Sequence, residues 1–191
     1  PAPQPPHTPA QPPPLPPRRT PPHHPPIVRD RPAVPTADDP PYALRRAPTH
    51  ARNGPQHAIE ALARTEGDMT LQMVGDGPQR KHLEQAAADL GVADRVNFTG
   101  LVPRPEAVRL MRGATTVLFT GLREEGGLAL AEAMYAARRL IVLDHGGAGS
   151  IARTATDPDR IRLIPPGDVG TVAAGFAAAM DTHFAAAPVA D

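Results

Sequence analysis

Proline divides this chain. Nineteen of its 27 prolines precede residue 49, in runs such as PAPQPPHTPAQPPPLPPRR. Proline locks φ at about −65° and has no backbone N–H, so it sustains neither a helix interior nor a central sheet ladder. Residues 1–49 are therefore expected to form a Pro-rich segment of polyproline II and disordered states. A folded domain is expected over residues 50–187, with a short tail at 188–191. The run PPPLPPRR sets Pro13, Pro16 and Arg18 in a pattern that aromatic-grooved partner domains can read; it reads first as a spacer. The remaining ~140 residues match the size of one domain and can bury a real core. A formal net charge of zero gives no electrostatic reason to expect nucleic acid or a membrane surface as partner. The chain has no cysteine, which excludes disulfides and thiolate chemistry. No apolar run approaches the ~18 residues of a transmembrane helix, and the opening residues lack the apolar centre of a signal peptide. A cytoplasmic location is the expectation. With aromatics at 3% and no tryptophan, the core must come from aliphatic side chains and methionine.

After residue 50 short apolar runs alternate with segments of helical spacing. Helices are expected over 55–64, from Gly77–Pro78 to Leu90, over 105–111, 127–137 and 169–184. Strands are expected at 70–75, 95–100, 115–120, 140–144 and 161–168. The run LIVLD at 140–144 is almost wholly apolar, as parallel strands buried on both faces are. Gly146, Gly147 and Gly149 read as a flexible loop. Strand and helix in alternation imply right-handed crossovers and a parallel sheet flanked by helices. Such sheets bind ligands beyond the carboxyl ends of their strands. The loops at 75–77, 120–127 and 145–149 all fall at such ends and are expected to converge on one crevice.

The richest chemistry lies in EEGGLALAEAM, residues 124–134. Gly126 and Gly127 stand where a loop turns into a helix. A helix start exposes unpaired N–H groups and the positive end of the macrodipole, which favours phosphate. Two carboxylates, Glu124 and Glu132, flank that start. An ionised carboxylate only accepts hydrogen bonds, so both suit sugar hydroxyls. Phosphate beside hydroxyls suggests a nucleotide-sugar.

These residues carry a resemblance. The run VGDGPQRKHLEQAAADLGVADRVNFTGLV, residues 74–102, followed by EEGGLALAEAMYAARRLIVLDHGG, residues 124–147, resembles the carboxyl-terminal domain of family 4 glycosyltransferases with the GT-B fold. The resemblance covers residues 52–180. It implies a single Rossmann-like α/β domain, one half of a GT-B fold, that binds a nucleoside diphosphate sugar. It further implies retaining, metal-independent transfer to an acceptor hydroxyl, with a separate acceptor-binding domain across the cleft. By position, Glu124 matches the glutamate that meets donor-sugar hydroxyls and Glu132 the one that meets the ribose. These are the candidate catalytic-site carboxylates. Gly126, Gly127 and Leu128 match backbone that approaches sugar and diphosphate. Gly75 and Gly77 match the first loop of the donor cleft, and residues 96–100 match backbone near the base.

Departures are also visible. The family pairs an arginine with a lysine to clamp the diphosphate. Arg46 suits the arginine, but Asn53 stands at the lysine position, leaving Arg52 as a candidate substitute. The opening strand of the family domain has PPYALRR in its place, and no residues resemble the acceptor domain. The alternative expectation is therefore a non-catalytic nucleotide-sugar-binding module or a truncated, inactive fragment. Arg104, Arg109 and Arg112 read as a solvated helix face, and His145 as a loop residue. Asp144 is left open between capping a loop and facing the donor.

Overall fold

A computed structural model describes residues 41–122 and 127–186. Six strands form one sheet: β1 (Tyr42–Arg46), β2 (Thr70–Val74), β3 (Val96–Gly100), β4 (Thr116–Phe119), β5 (Leu140–Leu143) and β6 (Ile161–Ile164). Their order is β3-β2-β1-β4-β5-β6, and every pairing is parallel. Among the described residues five α-helices lie between successive strands, α1 (Pro55–Leu62), α2 (Arg80–Asp89), α3 (Arg104–Gly113), α4 (Leu128–Ala136) and α5 (Gly147–Ala152), and α6 (Val169–Ala185) follows β6. This is the doubly wound, Rossmann-like arrangement, and the α/β class read from the alternation holds.

Side chains alternate across a strand, and here the alternation builds two cores. Ala43, Leu71, Met73, Leu118, Ile141 and Ile164 face one way, against α1, α2 and α6 through Ile59, Leu83 and Phe176. Tyr42, Leu44, Val117, Leu140 and Val142 face the other, against α3, α4 and α5 through Leu110, Leu130 and Ala152. All four residues of β5 are buried, as its unbroken apolar run requires. Local signals set the helix starts. Pro55 occupies the first turn of α1 behind Gly54, whose φ is +55°. Asp168 caps α6 by accepting from the Thr171 N–H at 3.0 Å.

One boundary needs correction. The folded domain opens before residue 50, because Tyr42–Arg46 is the central strand, paired with β2 on one side and β4 on the other. Prolines at 40, 41 and 48 bracket this segment without interrupting it, so the five strand residues keep every ladder N–H. PYALRR is thus the opening strand itself. The expectations for residues 1–40 and 188–191 lie outside the described residues. The Gly146–Gly149 segment also departs from expectation: Gly147–Ala152 is helical, with Ala148 and Gly149 buried. Glycine is required at 149, where a Cβ would stand 1.8 Å from Asp144 Oδ1.

Candidate functional site

The chain reverses its winding direction between β1 and β4, and a cleft of about 480 Å³ opens there, at the carboxyl ends of β1, β2 and β4. This is where open α/β sheets place ligands. Its polar wall comes from Arg45, Arg46, Arg52, Asn53, Thr120 and the Gly75 backbone; Leu101, Val102 and Ala129 add apolar surface. Among the described lining residues three are arginines and none is acidic. The cleft therefore selects for negative charge.

Glycine at 75 is a geometric necessity. Its φ is +130°, and a Cβ there would lie 2.3 Å from the Ala47 carbonyl oxygen. The loop after β1 can close over the end of β2 only because residue 75 has no side chain. Gly77 is constrained in the same way just outside the cleft: its φ is +154°, and a Cβ would sit 3.0 Å from Thr49 Oγ1.

Glu132 lies in the second turn of α4, its side chain 12% exposed. Its Oε2 accepts from Arg46 Nη1, and its Oε1 accepts from Arg104 Nε at 2.7 Å. Burial pushes this carboxyl up, but the hydrogen bonds and charges of Arg104 and Arg46 outweigh burial and hold it below the usual carboxylate range. Glu132 is thus ionised and braced against the cleft wall through Arg46. Arg104, expected on a solvated face, is 77% exposed yet spends its Nε on Glu132.

The other expected residues sort as follows. Arg46, Arg52 and Gly75 line the cleft, and Gly77 and Leu128 do not. Leu128 is the first residue of α4 and is 78% exposed. Gly127 precedes it with φ +62° and gives the helix no side-chain cap; a Cβ at 127 would approach Ile151 Cδ1 to 2.8 Å. Glu124 and Gly126 lie outside the described residues. Of the three loops expected to converge, those after β2 and β4 reach the cleft, whereas residues 145–149 do not line it. Asp144 pairs with Arg153 instead, and His145 is exposed. The loop after β1 takes that place.

Sequence reasoning missed Arg45. It is 2% exposed, and burial lowers its guanidinium to about 10. It donates from Nε to Thr120 Oγ1 at 3.1 Å, from Nη1 to the Ala47 carbonyl at 3.3 Å and from Nη2 to the Asn53 carbonyl at 2.9 Å. Only its place on a strand, one residue from Arg46, could have flagged it.

A profile described as glycosyl transferases group 1 matches residues 29–183. The chain belongs to this family. A 2-deoxystreptamine glucosyltransferase from Streptomyces kanamyceticus is 34% identical over 123 residues, 63% of this chain and 31% of that protein. The structure of the lipopolysaccharide outer core galactosyltransferase WaaB matches with a TM-score of 0.64 at 24% identity, over 78% of this chain and 42% of that one. HepE of Anabaena, solved in complex with UDP-glucose, matches with a TM-score of 0.60 at 23% identity, over 78% of this chain and 46% of that one. These structural likenesses bear on the fold. The chain spans at most about a third of the length of the curated relatives it matches, 31% and 32% of the first two.

Proposed function

We propose that this domain binds a nucleoside diphosphate sugar. Facing an acceptor-binding domain, it would serve retaining, metal-independent transfer of the glycosyl group to an acceptor hydroxyl. The observation that carries the reading is the cleft at the turning point of the sheet, walled by Arg45, Arg46 and Arg52 and with no acidic side chain among its described lining residues. Family membership supports the reaction class, and the neighbour solved with UDP-glucose supports the ligand class. In such a transfer the departing diphosphate gains negative charge as the glycosidic bond breaks. Fixed cations aimed at that charge stabilise the transition state more than the ground state. In this reading Glu132, braced by Arg46 and Arg104, accepts from ribose hydroxyls, and Glu124 from sugar hydroxyls. No described helix is long and apolar enough to cross a membrane; a cytoplasmic site of action belongs to the proposal.

Asn53, at the position where the resemblance calls for lysine, favours a second reading in which the cleft binds the donor without turnover. Calorimetric titration of the full chain with UDP-, GDP- and ADP-sugars tests the binding step common to both readings. Binding of at least one, unaffected by EDTA, is expected. Glu132→Ala should weaken it by about 1–3 kcal/mol, because buried ribose hydroxyls lose their acceptor. Failure of all three donors to bind refutes both readings. Transfer that begins only when an acceptor domain is supplied separates the half-enzyme from the module.

A further inference from the structure

We infer that His57 is a positioning residue for the cleft: as a neutral imidazole it props the loop after β1 against the end of β4, and on protonation it releases that wall. The inference rests on the nucleotide-sugar reading above and adds to it a control by pH.

Few bonds hold the wall together. The Leu122 N–H donates to the Arg52 carbonyl at 3.0 Å, and Thr120 Oγ1 donates to the Asn53 carbonyl at 2.9 Å. Arg52, Asn53 and Thr120 all line the cleft. Gly54 follows with φ +55° and leads into α1. A Cβ at 54 would lie 2.4 Å from the Thr120 carbonyl oxygen and 2.9 Å from His57 Cδ2. Loop, strand end and imidazole therefore meet at one point, and only a residue without a side chain fits there. His57 stands in the first turn of α1, where its backbone N–H donates to the Gly54 carbonyl at 3.2 Å. A shift of the ring is thus passed straight to the glycine.

The surroundings of the ring suit one charge state. His57 is 3% exposed, and its Nδ1 has no hydrogen-bond partner among the described residues. A neutral imidazole can leave that nitrogen as a bare acceptor, whereas an imidazolium carries an N–H on both nitrogens. A buried charged donor without an acceptor is costly. Burial accordingly pushes this imidazole down, and Glu60, one turn on along α1, opposes it in part. The other charged groups around α1 are bonded elsewhere or exposed. The helix packs against α2, α6 and β2, and β2 carries no charge. On α2, Arg80 pairs with Glu84, and Lys81, His82 and Asp89 are exposed. On α6, Asp181 accepts from the Glu66 N–H and His183 lies beside Thr116. Arg45 of β1 is bonded to Thr120, Ala47 and Asn53. Protonation is relieved by turning the ring out to water. That removes the prop beneath Gly54 and loosens Arg52 and Asn53 from the end of β4. The closed wall takes up the proton less readily than the released one, so closure is complete above the ordinary imidazole value of 6.5 and is lost as pH falls below it.

The test is calorimetry of the full chain with a nucleotide-sugar that binds it, from about pH 7.5 to about pH 5.5. The diphosphate of such a donor is esterified at both ends, so its charge is constant over this range. Affinity is expected to hold above about pH 6.5 and to fall about three- to tenfold by the acid end. His57→Leu, which retains His50 and His183, should abolish the fall. A pH-independent affinity in the wild type overturns the proposal, and so does an equal fall in His57→Leu. If that variant does not fold, NMR of the wild type decides. The backbone amide signals of Asn53, Gly54 and Leu122 should titrate together with the His57 ring; a ring that titrates while those amides stay still overturns the role. The NMR titration needs no ligand. Failure of every donor to bind at any pH therefore removes the nucleotide-sugar reading, while the amide signals still judge the imidazole prop.

Discussion

Removing residues 1–49, so that the chain begins at His50, deletes β1 from the middle of the sheet. The cost follows from the contacts described. Tyr42 and Leu44 are 4% and 0% exposed, and each forfeits about 1.5–3 kcal/mol of apolar burial. The Tyr42 Oη bond to the Leu110 carbonyl, 2.7 Å long, is worth about 1 kcal/mol. β1 is paired with β2 over five residues and with β4 over two, so its loss strips ladder partners from both. Each buried N–H or C=O left unpaired costs about 1–3 kcal/mol, so three of them with the side-chain terms reach about 7–16 kcal/mol. A domain of this size has about 5–15 kcal/mol to lose. The shortened chain should show no cooperative urea transition by circular dichroism, whereas the full chain unfolds in one step. A cooperative transition with the full chain's midpoint and slope would refute the central placement of this strand.

Gly75→Ala should destabilise by about 1–3 kcal/mol from backbone strain and weaken nucleotide binding as well, because its Cβ meets the Ala47 carbonyl at 2.3 Å. Gly67→Ala is the control, since φ there is +82° with nothing within 4 Å; equal losses in urea midpoint would show that the contact does not matter. His183, beside Thr116 Oγ1 at 2.9 Å, is held down to about 4 by burial, then by Arg139 and Arg162. The unfolded chain takes up this proton near pH 6.5 and the folded one only near 4. Stability is therefore full above about pH 6.5 and falls as pH drops toward 4. His183→Gln should flatten that slope between about pH 7 and 5 in urea unfolding, and an unchanged slope would refute the assignment.

Much of the fold was legible because it is written in periodicity. The apolar runs at 70–75, 95–100, 115–120 and 140–144 became strands within a residue or so of the expected limits, and the helices between them followed. The central strand escaped because composition dominates any window that includes Pro40, Pro41 and Pro48, while the proline-free strand between them is too short to show alternation. The helix at Gly147–Ala152 escaped for a related reason. Glycine is a poor helix former, and this one is retained because Gly149 must pass Asp144. In the site, Arg46, Arg52 and Gly75 were readable from motif position. The bracing of Glu132 by Arg104 was not, because it joins α3 to α4 across 28 residues. Nor was Arg45, whose importance comes from burial, a quantity that no local pattern records.

The two arginines that follow Leu44 sit at the end of the strand on which both cores depend. Whatever occupies the cleft is thus fastened to the central strand of the sheet. Ligands that bind only the folded chain stabilise it by RT ln(1 + L/Kd) at free concentration L, so at equal concentration a tighter ligand raises the melting temperature more. A thermal-shift ranking of nucleotides would then read out the preferred base with no acceptor, no second domain and no turnover.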